Sequence, residues 1–191
     1  MCSKVSSRKN PLRIKLKSDK QKRMTLMEEI RIEKHLAEEE RYRLLSSQLK
    51  SLLTKNDNLI SNLSNCSAAI KDVFDKVSWV GFYLYDGEKL YLGSFQGKVA
   101  CTSIEMGKGV CGMAATKRET IIVPDVDKFP GHITCDSGSK SEIVVPIVFK
   151  NKLLGLLDLD SYAFNAFGKT DKKYLEEICK FLSEEIFPSN T

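Results

Sequence analysis

The feature that most restricts the fold is a pair of apolar segments, EIVVPIVF (142–149) and LLGLLDLD (153–160), separated only by Lys150-Asn151-Lys152. Each has the length and residue types of a strand, and the short polar stretch between them reads as a turn. A second pair lies upstream. WVGFYLY (79–85) ends at an Asp86-Gly87 turn, and KLYLGSF (89–95) forms a hairpin with it. Thr102–Met106 and Thr120–Val123 read as shorter extended segments, the latter closed by Pro124. Gly107-Lys108-Gly109 opens a short helix over Val110–Thr116.

Helical spacing brackets these strands. Leu59, Leu63, Cys66, Ile70, Val73 and Val77 recur every three or four residues after an Asn56-Asp57-Asn58 break and N-cap. A closing helix spans 170–187, capped by Thr170 or Asp171, with Tyr174, Leu175, Ile178, Phe181, Leu182 and Ile186 facing in. Residues 25–56, free of Gly and Pro and rich in Glu, Arg and Lys, read as a charged helical extension leading into a domain over 57–187. Strands and helices do not alternate regularly. The order predicts an α+β domain: an antiparallel sheet with helices packed mainly on one face.

Charge separates the N-terminus from the rest. Residues 1–24 hold nine Lys or Arg against the single Asp19, while the remaining chain has twenty-one basic and twenty-four acidic residues. The net charge of +5 is thus a property of the first segment. That segment reads as a disordered extension or as an organelle-targeting sequence. No nucleic-acid partner is expected, because basic residues do not gather on the folded part. No apolar run approaches a membrane span, and no secretory signal is visible, so cytoplasm is the expected location, with the mitochondrion as alternative.

Six cysteines, Cys2, Cys66, Cys101, Cys111, Cys135 and Cys179, include no CxxC pair, and His35 and His132 are far apart. No metal is expected from such spacing. Cys66 and Cys179 fall on apolar helix faces and read as inert. Cys135 lies in the long polar loop 124–140, flanked by His132 and Asp136. It is either an activated nucleophile or a bystander thiol, with His132 assisting it or simply bonding the loop. Cys101 and Cys111 sit at element ends; with Cys135 they form either a thiol–disulfide set or three unrelated thiols.

Asp158 and Asp160 are two apart on an otherwise apolar strand, so they share a face. Glu142 begins the neighbouring strand. The three acids either line a pocket suited to an ammonium group, with one kept protonated as a proton donor, or mark a strand end running into water. Trp79 and Tyr83 share a face as well, either as walls for a sulfur-containing ligand or as core aromatics.

The segments FQGKVACTSIEMGKGVCGMAA, PDVDKFPGHITCDSGSKSEIVVPI and LLGLLDLDS together resemble the free methionine-(R)-sulfoxide reductases, a branch of the GAF-domain superfamily. The resemblance covers residues 38–187; the basic and helical N-terminus is the main departure from the short bacterial members. It implies a GAF-like (PAS-related) catalytic domain, no bound cofactor, and a homodimer. By position it implies Cys135 as the attacking cysteine, Cys101 as principal and Cys111 as second resolving cysteine. It makes Trp79 and Tyr83 the walls around the methyl sulfinyl group, and Glu142, Asp158 and Asp160 the carboxyls that hold the substrate and assist proton transfer.

The implied reaction reduces free L-methionine-(R)-sulfoxide. Cys135 becomes a sulfenic acid, then a disulfide with Cys101 or Cys111, and a thioredoxin-type dithiol protein restores the thiols. Preference for the R epimer is implied by the resemblance alone. Two rivals remain: a sensor of cyclic-nucleotide-like small molecules, for which no output domain is seen to follow, and a dimerisation module built on the helices at 25–77.

Overall fold

The computed structural model describes residues 30–131 and 136–187. Two helices, α1 (Glu38–Leu52) and α2 (Leu59–Val73), precede strands β1 (Trp79–Tyr85), β2 (Leu90–Gln96) and β3 (Ser103–Ile104). Helix α3 (Gly109–Lys117) and strand β4 (Ile121–Val123) follow. The long strands β5 (Ser141–Phe149) and β6 (Lys152–Ser161) come next, then helix α4 (Lys169–Phe181) and a π-helical turn at Leu182–Ile186. The six strands form one sheet in the order β3-β2-β1-β6-β5-β4, and every neighbouring pair is antiparallel. The α+β architecture expected from the sequence is the one found.

Alternation along the strands divides the sheet into two faces. Val80, Phe82, Ile143, Val145, Ile147, Leu157 and Leu159 point to one side, where they join the apolar faces of α1, α2 and α4 in the main core. Trp79, Tyr83, Val144 and Leu156 point to the other, where α3 and the segments around β3 and β4 cover them. The helices thus sit mainly on one face, and the second face carries the smaller cluster and the candidate site.

Local signals explain most element ends. Asn58 caps α2, its side-chain oxygen accepting from the Ile60 amide at 2.8 Å. The Asp86 carboxylate accepts from the amides of Glu88 and Lys89, both at 2.9 Å, which closes the β1–β2 turn. At α4 the expected cap is refined: Gly168 is the N-cap, and Asp171 reaches back to accept from its amide at 2.7 Å. The helix expected over 25–56 is shorter. Among the described residues it runs only over Glu38–Leu52, and residues 30–37 are not helical. Glu38, Glu39 and Glu40 occupy its first turn, where the helix dipole favours negative charge. Nor does α1 stand apart from the sheet domain. Tyr42, Leu45 and Leu49 are fully buried in the main core, and the helix packs on α2 and α4.

A polar knot fastens α1 to the start of α4. The Asp171 carboxylate, almost wholly buried, accepts from Tyr42 Oη at 2.7 Å and from Lys76 Nζ at 2.6 Å. Lys76 also donates to the Ala166 carbonyl and pairs with Glu38. Removing one side of a buried pair strands the other. Asp171→Ala is therefore expected to lower unfolding stability by about 3 kcal/mol, read as a drop in the urea midpoint at unchanged slope. A cost near zero would mean that Lys76 finds full compensation in Glu38.

Candidate active site

Strand register brings the acids together. Across β1, β6 and β5, Trp79 lies opposite Asp160, and Asp160 lies opposite Glu142. One step along, Gly81 faces Asp158, and Asp158 faces Val144. One step further, Tyr83 faces Leu156. All of these side chains share one face of the sheet, and α3 closes over it. The result is a cavity lined by Trp79, Tyr83, Cys111, Glu142, Asp158 and Asp160, together with Val99, Ala100 and Ile104.

Two close approaches shape it. A Cβ at Gly81 would meet the Trp79 indole at 2.4 Å and Phe95 Cβ at 2.6 Å, so the indole lies over bare backbone. A Cβ at Gly112 would meet the Glu105 carbonyl oxygen at 2.3 Å, so only glycine lets α3 press against the preceding chain. That contact sets Cys111, its neighbour, against the acids. The aromatics also hold the segment leading to β3. Trp79 Nε1 donates to the Lys98 carbonyl at 3.0 Å, and Tyr83 Oη donates to the Cys101 carbonyl at 3.1 Å.

Glu142 and Asp158 are 6% exposed and hydrogen-bonded to each other, which requires a proton on one of them. Burial, then the charges of Asp158 and Asp160, push the Glu142 carboxyl well above the usual range. Burial, then Asp160, does the same to Asp158. Asp160 is half-buried; burial lifts it to about 7 against an opposing hydrogen bond from Ser139. Asp158 Oδ1 is buried without a hydrogen-bond partner among the described residues. The acids thus converge in a cavity and do not mark a strand end in water, since β6 ends at the buried Ser161.

The cysteines separate by surroundings. Cys101 is disulfide-bonded, while Cys66, Cys111 and Cys179 are free. Cys111 Sγ donates to Asp158 Oδ2 at 3.3 Å and lies 4.0 Å from Glu142 Oε1. Burial, then Asp158 and Glu142, push its thiol well above the ordinary value. Burial pushes Cys66 up to about 12 and raises Cys179 far as well, so both are poor nucleophiles. Cys2, Cys135 and His132 lie outside the described residues, as does the whole basic segment 1–24.

One element of the site escaped the sequence reading. Asp136 accepts from Lys98 Nζ at 3.1 Å, from the Gly138 amide at 2.9 Å and from Tyr162 Oη at 2.8 Å. Those donors, the Gly138 amide foremost, hold its carboxyl below the usual range. This contact joins the loop before β5 to the segment before β3. Lys98 and Asp136 fall within the FQGK and CD blocks, but nothing in the sequence pairs them with Tyr162.

The GAF-domain family model matches residues 66–186. A protein of Dictyostelium discoideum named GAF domain-containing protein A is 51% identical over 147 residues, covering 76% of this chain and 92% of that one. The free methionine-R-sulfoxide reductase of Saccharomyces cerevisiae is 47% identical over 135 residues, covering 66% of this chain and 75% of that one. The X-ray structure of free methionine-R-sulfoxide reductase from Neisseria meningitidis in complex with its substrate superposes with a TM-score of 0.78. It is 40% identical and covers 83% of this chain and 95% of that one.

The titration of Asp160 and the packing of Trp79 are each open to test. Because the folded Asp160 carboxyl titrates near 7 and an unfolded one near about 3.9, the folded state binds the proton more tightly. The associated stability is complete at acid pH and is lost as pH rises through 7. Asp160→Asn should melt above the wild type at about pH 8 and level with it near about pH 4. Trp79 is the sole tryptophan, so Gly81→Ala should shift its emission to the red by driving the indole from the cavity. An unchanged spectrum would contradict the close contact.

Proposed function

The chain belongs to the GAF-domain family, among the free methionine-R-sulfoxide reductases, and from that premise we propose that it reduces free methionine-R-sulfoxide to methionine. The observation that carries the reading is the convergence of Glu142, Asp158 and Asp160 opposite Trp79 and Tyr83 in one cavity. A free amino acid brings an ammonium group; a residue within a polypeptide does not. An ammonium supplies what the unpartnered Asp158 Oδ1 lacks, and the aromatic faces suit a methyl sulfinyl group.

In the proposed reaction Glu142, whose carboxyl holds its proton far above the usual range, donates a hydrogen bond to the sulfoxide oxygen. This withdraws electrons from sulfur. The Cys135 thiolate attacks that sulfur. The oxygen passes to the Cys135 sulfur, methionine departs, and Cys135 is left as a sulfenic acid. The Cys101 thiolate then attacks the sulfenic sulfur, a disulfide forms and water leaves. Support for Cys101 over Cys111 comes from their states. Cys101 is disulfide-bonded. Cys111 is a buried thiol whose acidic neighbours oppose thiolate formation, which makes it the slower partner.

A dithiol protein of the thioredoxin type returns the enzyme to the thiol state in this scheme, by exchange at the disulfide. Assembly as a homodimer and a cytoplasmic or mitochondrial location belong to the same proposal. A sensor of nucleotide-like ligands fits the site less well, because any carboxyl of the cavity floor that ionises repels a phosphate.

The reading is tested by thioredoxin-coupled turnover of free methionine-R-sulfoxide beside the free S epimer and the N-acetylated R compound. Turnover of the free R form alone is expected. Cys135→Ser should lower it at least about a thousandfold, the order of loss seen when a catalytic nucleophile is removed. Equal turnover of the N-acetylated compound would remove the ammonium–carboxylate argument. No turnover by folded, reduced protein would overturn the reductase assignment.

A further inference from the structure

Cys111 introduces a donor that an ammonium does not use. A carboxyl pair suffices to receive an ammonium, whereas a thiol sulfur is a weak acceptor. Yet Sγ of Cys111, an oxygen of Glu142 and an oxygen of Asp158 lie within 4.8 Å of one another, on α3, β5 and β6. Their spacing is that of a coordination shell. Zinc–sulfur bonds of about 2.3 Å and zinc–oxygen bonds of about 2.1 Å meeting at a tetrahedral angle set sulfur and oxygen about 3.6 Å apart. The two sulfur–oxygen distances here, 3.3 and 4.0 Å, bracket that value.

A second observation points the same way. Asp158 is 6% exposed, yet its Oδ1 has no hydrogen-bond partner among the described residues. A buried carboxyl oxygen left in this state, beside the Oδ2 that Cys111 engages, calls for a donor or a cation. The residues also form a closed-bottomed set. Three protein donors come from separate elements, and all three line the cavity, where water can supply a fourth ligand as in zinc sites that keep one position open.

We propose that Cys111, Glu142 and Asp158 form a binding site for a thiophilic divalent cation of tetrahedral preference, zinc being the natural case. The mixed sulfur and oxygen set favours zinc or cadmium over magnesium and calcium, which take oxygen alone. A cation held there occupies the floor of the cavity, where the carboxyls are also proposed to receive the substrate. It excludes the ammonium by charge and by volume.

The test uses the full chain in its disulfide-bonded form, which removes Cys101 from the pool of thiols. Cadmium is titrated while the ultraviolet absorption of the sulfur-to-cadmium charge transfer is followed, and zinc binding is measured by calorimetry. One equivalent of cadmium is expected to give the band. Cys111→Ser should abolish it, Asp158→Asn should weaken cadmium binding at least about tenfold, and the Cys66→Ser and Cys2→Ser variants should retain it in full. Zinc should also raise the melting temperature of the wild type and leave that of Cys111→Ser unmoved. No band, or a band surviving in folded Cys111→Ser, overturns the proposal. Because metal binding alone is read, the outcome is independent of whether the chain reduces a sulfoxide.

Discussion

The register of β5 against β6 is the constraint on which the site depends. Glu142 lies opposite Asp160 and Val144 opposite Asp158, so three carboxyls fall on one face of two adjacent strands. A slip of one residue in either strand would carry its acids to the other face, among α1, α2 and α4, and bring apolar residues into the cavity. Burial enforces the register. Ile143, Val145, Leu157 and Leu159 are almost completely buried on the helix side, each contributing about 2 kcal/mol by leaving water. The same alternation that makes the main core therefore aims the acids. The tight turn between the strands then holds the pairing from its closed end.

The arrangement has an energetic cost that the fold does not recover within the site. Glu142 and Asp158 are driven toward their neutral forms by burial and by each other, and Asp158 keeps an unsatisfied oxygen. A sequence selected for stability alone would place leucine or valine at these positions, as the rest of β6 does. Acids held this far from water in an otherwise apolar strand signal a ligand whose charge completes them. The Asp171 knot shows the contrast. That carboxylate is equally buried, but Tyr42, Lys76 and the Gly168 amide satisfy it, and it joins α1 to α4.

Much of this was legible in the sequence, and the parts that were not share a cause. The strands at 79–85 and 142–160, the Asn58 cap and the common face of Asp158 and Asp160 follow from local periodicity and turn chemistry. The start of α1 did not, since residues 25–37 carry the same charged composition as the helix proper and only Glu38–Glu40 mark its beginning. The meeting of Cys111 with Asp158 was equally hidden. It arises because α3 folds back over the sheet with Gly112 pressed on the Glu105 carbonyl, a contact between elements that no spacing along the chain encodes. The Lys98–Asp136–Tyr162 contact is of the same kind, three residues from three loops.

Cys101 and Cys111 illustrate how surroundings divide roles that sequence leaves alike. Both flank β3, ten residues apart. The Cys101 carbonyl is held by Tyr83, on a segment also tied down through Trp79, and its sulfur is engaged in a disulfide. Cys111 lies on the first turn of a helix, a position that by itself favours a thiolate. Here the helix dipole is opposed at closer range by two acids and by complete removal from water, and the proton stays on sulfur. Local electrostatics override the helix end because the dipole contributes about 1 kcal/mol, whereas burial of an unpaired charge costs several. A cation that displaced the Cys111 proton would reverse that balance, since it would supply the charge the acids and the thiolate lack. The sulfur least suited to act as a nucleophile is, for the same reason, the one best placed to act as a metal ligand.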